Sequence, residues 1–157
     1  MQRLFLTFFY SGLSPYAPGT VGSILAGITG FVLLQFFHTD TLLLLTILIT
    51  VVGIKEIDKY EKKSGTHDDK SIVIDEVIGL WIAFVLSSTT ITQMLLSFVY
   101  FRLFDIWKPS LIGKIDRDVK GGSGVIGDDA LAGVLAGISS ALTWLAIEYL
   151  KGYLLLH

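Results

Sequence analysis

Five apolar stretches, broken by two long polar loops, set the layout of this chain. Residues 21–37, 41–54, 77–92, 93–104 and 130–150 carry no charge, or only one each in the last two. A bilayer-spanning helix needs about 20 apolar residues, and the first and last stretches come near that length unaided. The middle ones must borrow flanking residues or tilt. After the second stretch Lys55, Glu56, Asp58, Lys59, Glu61, Lys62 and Lys63 follow without a breaker until Gly65, so that helix continues into water as a charged stalk, supported by Glu and Lys three and four residues apart. Residues 77–104 fit either two tilted spans or a shallow re-entrant hairpin, and both return the chain to the side it came from. The pattern predicts an all-α, polytopic membrane protein with four to five membrane-embedded helices and its polar loops on one face.

Composition points the same way. The hydrophobic fraction is 52% over 157 residues and the mean hydropathy is +0.68, more than one soluble core of this size uses. The length suits one domain, residues 1–157. A net charge of −2 gives no basic excess to hold a nucleic acid backbone. With no cysteine, disulfides, thiolate metal sites and cysteine-nucleophile phosphatase chemistry are excluded. The first ten residues carry only Arg3 ahead of an apolar run and no small-x-small cleavage site, and read as an interfacial anchor, not a removable signal.

Charge placement says more than charge total. If each stretch crosses, the long loops share one side, and that side holds 11 of the 12 basic residues, all but Lys151. Positive charge stays cytoplasmic, so this face is expected inside. It also holds every acidic residue except Asp40 and Glu148. In the last stretch, Gly133 and Gly137 form a small-xxx-small pattern suited to close helix packing, within one chain or between copies in a homo-oligomer.

Four segments on the charged face carry candidate chemistry. In residues 11–23 two prolines and three glycines shape a loop, and Thr20 is placed to cap the following helix, whose exposed amides suit an anion. In residues 68–79, Asp75 and Glu76 stand between apolar runs, where charge is costly unless paired or metal-bound. In residues 101–109, Arg102, Asp105 and Lys108 fall at three-residue steps, one charged stripe on a helix that Pro109 limits; it serves as a salt-bridged interfacial turn or as a phosphate grip. In residues 116–133 a flexible glycine-rich approach delivers Asp128 and Asp129 to the mouth of the last helix. Two carboxylate pairs with oxygen donors favour a hard ion such as magnesium over zinc. His67 reads as a loop residue. With His38 and His157 it makes no converging set, which excludes histidine-based lipid phosphatases.

With these segments in order, the chain resembles the phosphatidylglycerophosphatase A family over essentially its whole length. The resemblance rests on Gly12-Leu13-Ser14-Pro15 with Pro18-Gly19-Thr20 and Gly22-Ser23, and on Ser71-Ile72-Val73 with Asp75-Glu76 and Gly79. Phe101-Arg102 with Asp105 and Lys108-Pro109 adds to it, as does Asp116-Arg117 with Gly121-Gly122, Gly124, Asp128-Asp129 and Ala132-Gly133. It departs from the family's usual pattern at Tyr10 and Lys70, where glycine is common, at Ser110-Leu111, and at Gly127, usually a larger apolar residue. The resemblance implies magnesium-dependent hydrolysis of phosphatidylglycerophosphate to phosphatidylglycerol and phosphate, in glycerophospholipid biosynthesis at the bacterial inner membrane. It implies a catalytic set of Asp75, Glu76, Asp105, Asp128 and Asp129. Of these, Asp75, Glu76, Asp128 and Asp129 would hold magnesium, while Thr20, Ser23, Arg102, Lys108 and Arg117 would bind the substrate phosphate. The nucleophile stays open between metal-activated water and an aspartate, Asp105 or Asp129. Two rivals are a lipid headgroup phosphotransferase, whose Asp-Gly and Ala-Arg signature elements are missing, and a non-enzymatic ion-pathway protein, whose acids would be spread through membrane depth instead of clustered beside loops.

Overall fold

A computed structural model of the chain describes residues 1–66, 69–87 and 90–156; His67 lies outside them. They form seven α-helices and a 3₁₀ turn: α1 (Gln2–Leu6), the turn Ser11–Leu13, α2 (Pro18–Phe36), α3 (Thr39–Ser64), α4 (Ile74–Ser87), α5 (Ile91–Trp107), α6 (Leu111–Asp118) and α7 (Gly122–Leu156). No strand occurs among the described residues. The charged stalk is present, since α3 runs unbroken to Ser64 and stops where Gly65 takes a left-handed conformation, the usual helix exit.

The centre of the bundle is α4. Val77, Ile78, Gly79, Leu80, Trp81, Ala83 and Phe84 are all buried, because α2, α3, α5 and α7 each pack against it. Its 14 residues rise about 21 Å, short of a bilayer core of about 30 Å. The apolarity of this segment therefore reflects burial in protein, a distinction hydropathy does not make. Two helices among the described residues are long and apolar enough to span, Pro18–Phe36 and Gly122–Leu154. Only 22% and 28% of their apolar windows are buried, unlike a soluble core helix. Ile24, Ile28 and Val32 of α2, Leu44 and Leu48 of α3 and Leu142 and Leu145 of α7 are exposed, an apolar belt that suits lipid and associates the protein with a membrane.

Close helix contact depends on glycine. A Cβ on Gly133 would collide with the backbone of Gly79, and one on Gly137 would stand 2.7 Å from Leu86 Cβ and 2.9 Å from the Ala83 carbonyl. The small-xxx-small pattern therefore works inside the chain, seating α7 on α4. Polar pairs tie α7 to α5 as well: Ser140 Oγ donates to the Gln93 carbonyl at 2.9 Å, and the Tyr100 and Thr143 hydroxyls share a hydrogen bond of 2.9 Å.

The N-terminal segment is part of the fold, not only an anchor at its edge. Leu6 is buried, its carbonyl accepts from Val73 N–H at 3.0 Å, and Gln2 Nε2 donates to the Glu56 carbonyl. At Tyr10 the backbone is left-handed, with φ 67°, a conformation that glycine adopts at lower cost.

Candidate active site

The starts of α2, α4 and α7 and the end of α5 meet at one end of the bundle, around a cavity of about 360 Å³. Asp75, Glu76, Asp105, Asp116, Asp128 and Asp129 line it together with Lys70 and Lys108. All five acids expected to be catalytic thus face one space. Six carboxylates against two ammonium groups leave a formal excess of four negative charges, and Asp75 and Asp129 lie within electrostatic reach of each other and of both Asp105 and Asp128.

Their placement follows from the crossing of α4 and α7. Gly79 lies one turn after Asp75 and Glu76, and Gly133 one turn after Asp129. Backbone contact at these glycines brings the two acid pairs to the same level. A second glycine contact seats Glu76, since a Cβ on Gly19 would overlap its Oε1 and one on Gly22 would lie 2.9 Å from its Oε2. From the sequence these two glycines read as loop formers; they are helical positions that make room for a carboxylate. The first turn of α4 is closed by Asp75 Oδ1, which accepts the Glu76 N–H at 3.0 Å.

Arg102 sits behind the acids and does not line the cavity. Its guanidinium pairs with Asp105 and, at 3.8 Å, with Glu76. It also donates to Ser23 Oγ at 3.2 Å and Thr20 Oγ1 at 3.3 Å. Thr20 does not cap α2, as the sequence led us to expect. The residue ahead of that helix is Ala17, left-handed at φ 45° with Pro18 following, and it makes no side-chain cap. Proline takes the first helical position, which displaces Thr20 two residues into the helix. Thr20 and Ser23 therefore hold Arg102 instead of presenting a bare helix start.

Lys108 leaves the stripe expected for it. The helix ends at Trp107, Lys108 turns left-handed at φ 44°, and its ammonium donates to Asp116 and, at 2.7 Å, to Asp128 Oδ2. Partial burial alone would lower the Lys108 pKa, but the hydrogen bonds and negative charge of Asp116 and Asp128 outweigh it and hold the ammonium above its ordinary value. Arg117 is exposed on α6 and is not among the cavity-lining residues.

The glycine-rich approach is mostly helix. Only Gly121 has a positive φ, 76°. Gly122 and Gly124 belong to α7, where a Cβ would strike the Ile54 and Val119 carbonyls. Asp58 of the stalk accepts the Gly122 N–H at 2.7 Å, capping α7 from another helix. The segment needs glycine for close packing, so flexibility was the wrong inference.

The donors available to a metal are all carboxylate oxygens. Asp128 is 4% exposed and its Oδ1 has no hydrogen-bond partner among the described residues, so the cavity offers a buried ligand atom left unsatisfied by them, beside excess negative charge. That set fits a hard divalent cation. As the side chains stand, no three Asp, Glu or His among the described residues converge closely enough to hold an ion.

Comparison with known proteins gives a consistent result. The family described as Phosphatidylglycerophosphatase A matches residues 4–144. A protein of that name from Escherichia coli is 43% identical over 129 residues, covering 82% of this chain and 74% of its own length. A Haemophilus influenzae protein of the same name is 37% identical over 142 residues, covering 90% of this chain and 85% of its own. A Bacteroides thetaiotaomicron protein, provisionally named a phosphatidylinositol-3-phosphatase, is 39% identical over 144 residues, covering 87% and 89%. No solved structure matches the chain.

Proposed function

Because the chain belongs to the phosphatidylglycerophosphatase A family, we propose that it hydrolyses the phosphomonoester of phosphatidylglycerophosphate at the charged cavity, with magnesium as cofactor, in phosphatidylglycerol biosynthesis. The observation that carries this reading is the position of the cavity. Its acids sit at one end of the bundle, beyond the exposed Ile24, Ile28 and Val32 of α2 and beside the exposed Ile106 and Trp107 at the end of α5, so a headgroup phosphate reaches them while its acyl chains stay in lipid.

The excess of carboxylates repels a phosphate unless positive charge joins them. Asp75, Glu76, Asp128 and Asp129 would hold the magnesium, which when bound neutralises phosphate charge and makes coordinated water a stronger nucleophile. Lys108 is the cavity's hydrogen-bond donor to the phosphate, since its ammonium already spans two acids and can trade the exposed Asp116 for a phosphate oxygen. Arg102 acts as a positioning residue that fixes Asp105 and Glu76, with Thr20 and Ser23 fixing Arg102 in turn. Asp105 faces the cavity and takes the proton of the attacking water. Water oxygen then bonds to phosphorus, the phosphorus–oxygen ester bond breaks, and the departing glycerol oxygen receives the proton that Asp105 took up.

In the membrane, α2, α3, α5 and α7 would be embedded around the shielded α4, giving the four to five embedded helices of the sequence reading. With basic residues gathered at the cavity end, that end faces the cytoplasm of a bacterial inner membrane.

The test is phosphate release by detergent-purified protein from phosphatidylglycerophosphate and, in parallel, from phosphatidylinositol-3-phosphate, with magnesium or with chelator. Magnesium-dependent release from the first substrate supports the reading. Faster release from the inositol lipid would reassign the headgroup, and full activity in chelator would remove the metal.

A further inference from the structure

A second cavity of about 370 Å³ lies along the membrane-facing seam between α2 and α5, with α4 as its floor. Ile24, Gly27 and Phe31 form one wall and Met94, Leu95 and Phe98 the other. Every lining residue is apolar, and Ile24 and Leu95 stand exposed at the rim. We infer that this groove holds an acyl chain of the lipid whose phosphate occupies the charged cavity, an inference that rests on the lipid-phosphatase reading above.

Continuity with the site is the first argument. On α2, Thr20 and Ser23 contact Arg102, and the groove begins in the next turn with Ile24 and Gly27; on α5, Phe98 is one turn before Arg102. One turn is about 5.4 Å. The groove therefore opens a single turn below the layer in which Arg102 meets Glu76 and Asp105, both of which line the charged cavity. A molecule with a phosphate at one end and a hydrocarbon chain a few bonds away matches that spacing.

Width is the second argument. The groove runs from residue 24 to residue 31 of α2, about 10 Å. The groove lies between two helices of one bundle that also touch each other, so a helix of a second copy, about 10 Å across, would lie over the seam and not within it. A single hydrocarbon chain enters it. Gly27 keeps the space open. A Cβ there would stand 3.6 Å from Leu80 and 3.7 Å from Phe98, in ordinary contact, so a methyl group is accommodated as the helices stand and the further bulk of a leucine must take up groove space.

The experiment compares dioleoyl with dihexanoyl phosphatidylglycerophosphate in mixed micelles, using wild type, Gly27→Leu, the rim variant Leu95→Trp, and Leu48→Trp on the exposed face of α3 as control. In both groove variants the ratio of kcat/KM for the long-chain over the short-chain lipid falls about tenfold, the burial of roughly two methylenes, while Leu48→Trp keeps the wild-type ratio. An unchanged ratio in Leu95→Trp and Gly27→Leu, with wild type active on both lipids, overturns the groove and leaves the phosphatase reading intact. A changed oligomeric state with an unchanged ratio also overturns it, in favour of a second copy. A wild type inactive on both lipids refutes the reading on which the inference stands.

Discussion

An alanine at position 79 would put a methyl carbon into the seam that aligns the two acid pairs. Its Cβ would lie 2.5 Å from the Asp129 carbonyl oxygen, 2.5 Å from Phe101 Cε2 and 3.0 Å from the Asp129 carbonyl carbon. Ordinary contact begins near 3.4 Å, so the shortfall is about 0.9 Å. Neither neighbour gives way easily, since one is helix backbone and the other a ring with no exposed surface. Relief must come from separating α4 and α7, and this happens at the backbone of Asp129 itself and one turn from Asp75 and Glu76. Overpacking of this kind costs about 1–3 kcal/mol, and a misplacement near 1 Å in a catalytic array costs on the order of 100-fold in rate. Gly79→Ala should therefore lower kcat for phosphate release about 100-fold while the protein still unfolds cooperatively, at a reduced Tm. Gly137→Ala is the comparison: its Cβ meets Leu86 at 2.7 Å in the same seam, two turns from Asp129, so it should lose similar stability and less than tenfold in kcat. A Gly79→Ala protein with kcat within threefold of wild type would refute the claim that this crossing sets the site.

Other changes probe the neighbouring contacts. Lys108→Met leaves Asp128, 4% exposed, without its ammonium partner and should cost about 2–3 kcal/mol, below the value for a fully buried pair because Lys108 itself is 32% exposed; with it phosphate release should fall at least 100-fold, and wild-type kinetics would remove Lys108 from the site. Because the Lys108 pKa is raised, its contribution is complete below the unfolded value and is lost only as pH rises through the higher folded one, so the rate profile between about pH 6 and 9 should show no limb that disappears in Lys108→Arg. Asp58→Ala removes the cap on Gly122 and should lower stability by about 1 kcal/mol in thermal unfolding; an unchanged Tm would show that the bond contributes nothing. The hydrogen bond from Tyr60, followed by that from the Ser71 N–H, holds the Asp69 carboxyl below its usual range. A depressed folded pKa stabilises above about pH 4 and is lost as pH falls through the folded value, so Tyr60→Phe should move acid unfolding to higher pH. An identical acid transition would contradict that.

Much of this arrangement is visible in the order of residues. The stalk ending at Gly65, the gathering of charge at one end and the candidate acids Asp75, Glu76, Asp105, Asp128 and Asp129 all follow from where charge interrupts apolar sequence, and the structure places those five acids around one cavity. The role of α4 does not follow, because Val77–Phe84 has the same hydropathy whether protein or lipid covers it, and only the packing of four other helices decides. The glycines were misread for a related reason. Gly19, Gly22, Gly122 and Gly124 look like loop residues by composition, yet each lies in a helix where another group comes too close for a Cβ, and such proximity is a property of the tertiary structure. Lys108 and Thr20 were misplaced by the local backbone, one by a left-handed helix exit and the other by Pro18 starting its helix early. The signal that places Thr20 inside the helix is in the sequence, since proline favours the first helical position.

The central claim is that the buried acids at the mouth of α7 carry out lipid phosphate hydrolysis. Asp129→Asn keeps the volume of the side chain and removes its charge, and the most direct measurement is its single-turnover phosphate release from phosphatidylglycerophosphate with saturating magnesium, beside a thermal unfolding curve. The account predicts a folded protein whose release is slowed at least 1,000-fold, the scale on which loss of a central catalytic group is felt. Release at the wild-type rate from a folded Asp129→Asn protein would place the chemistry elsewhere.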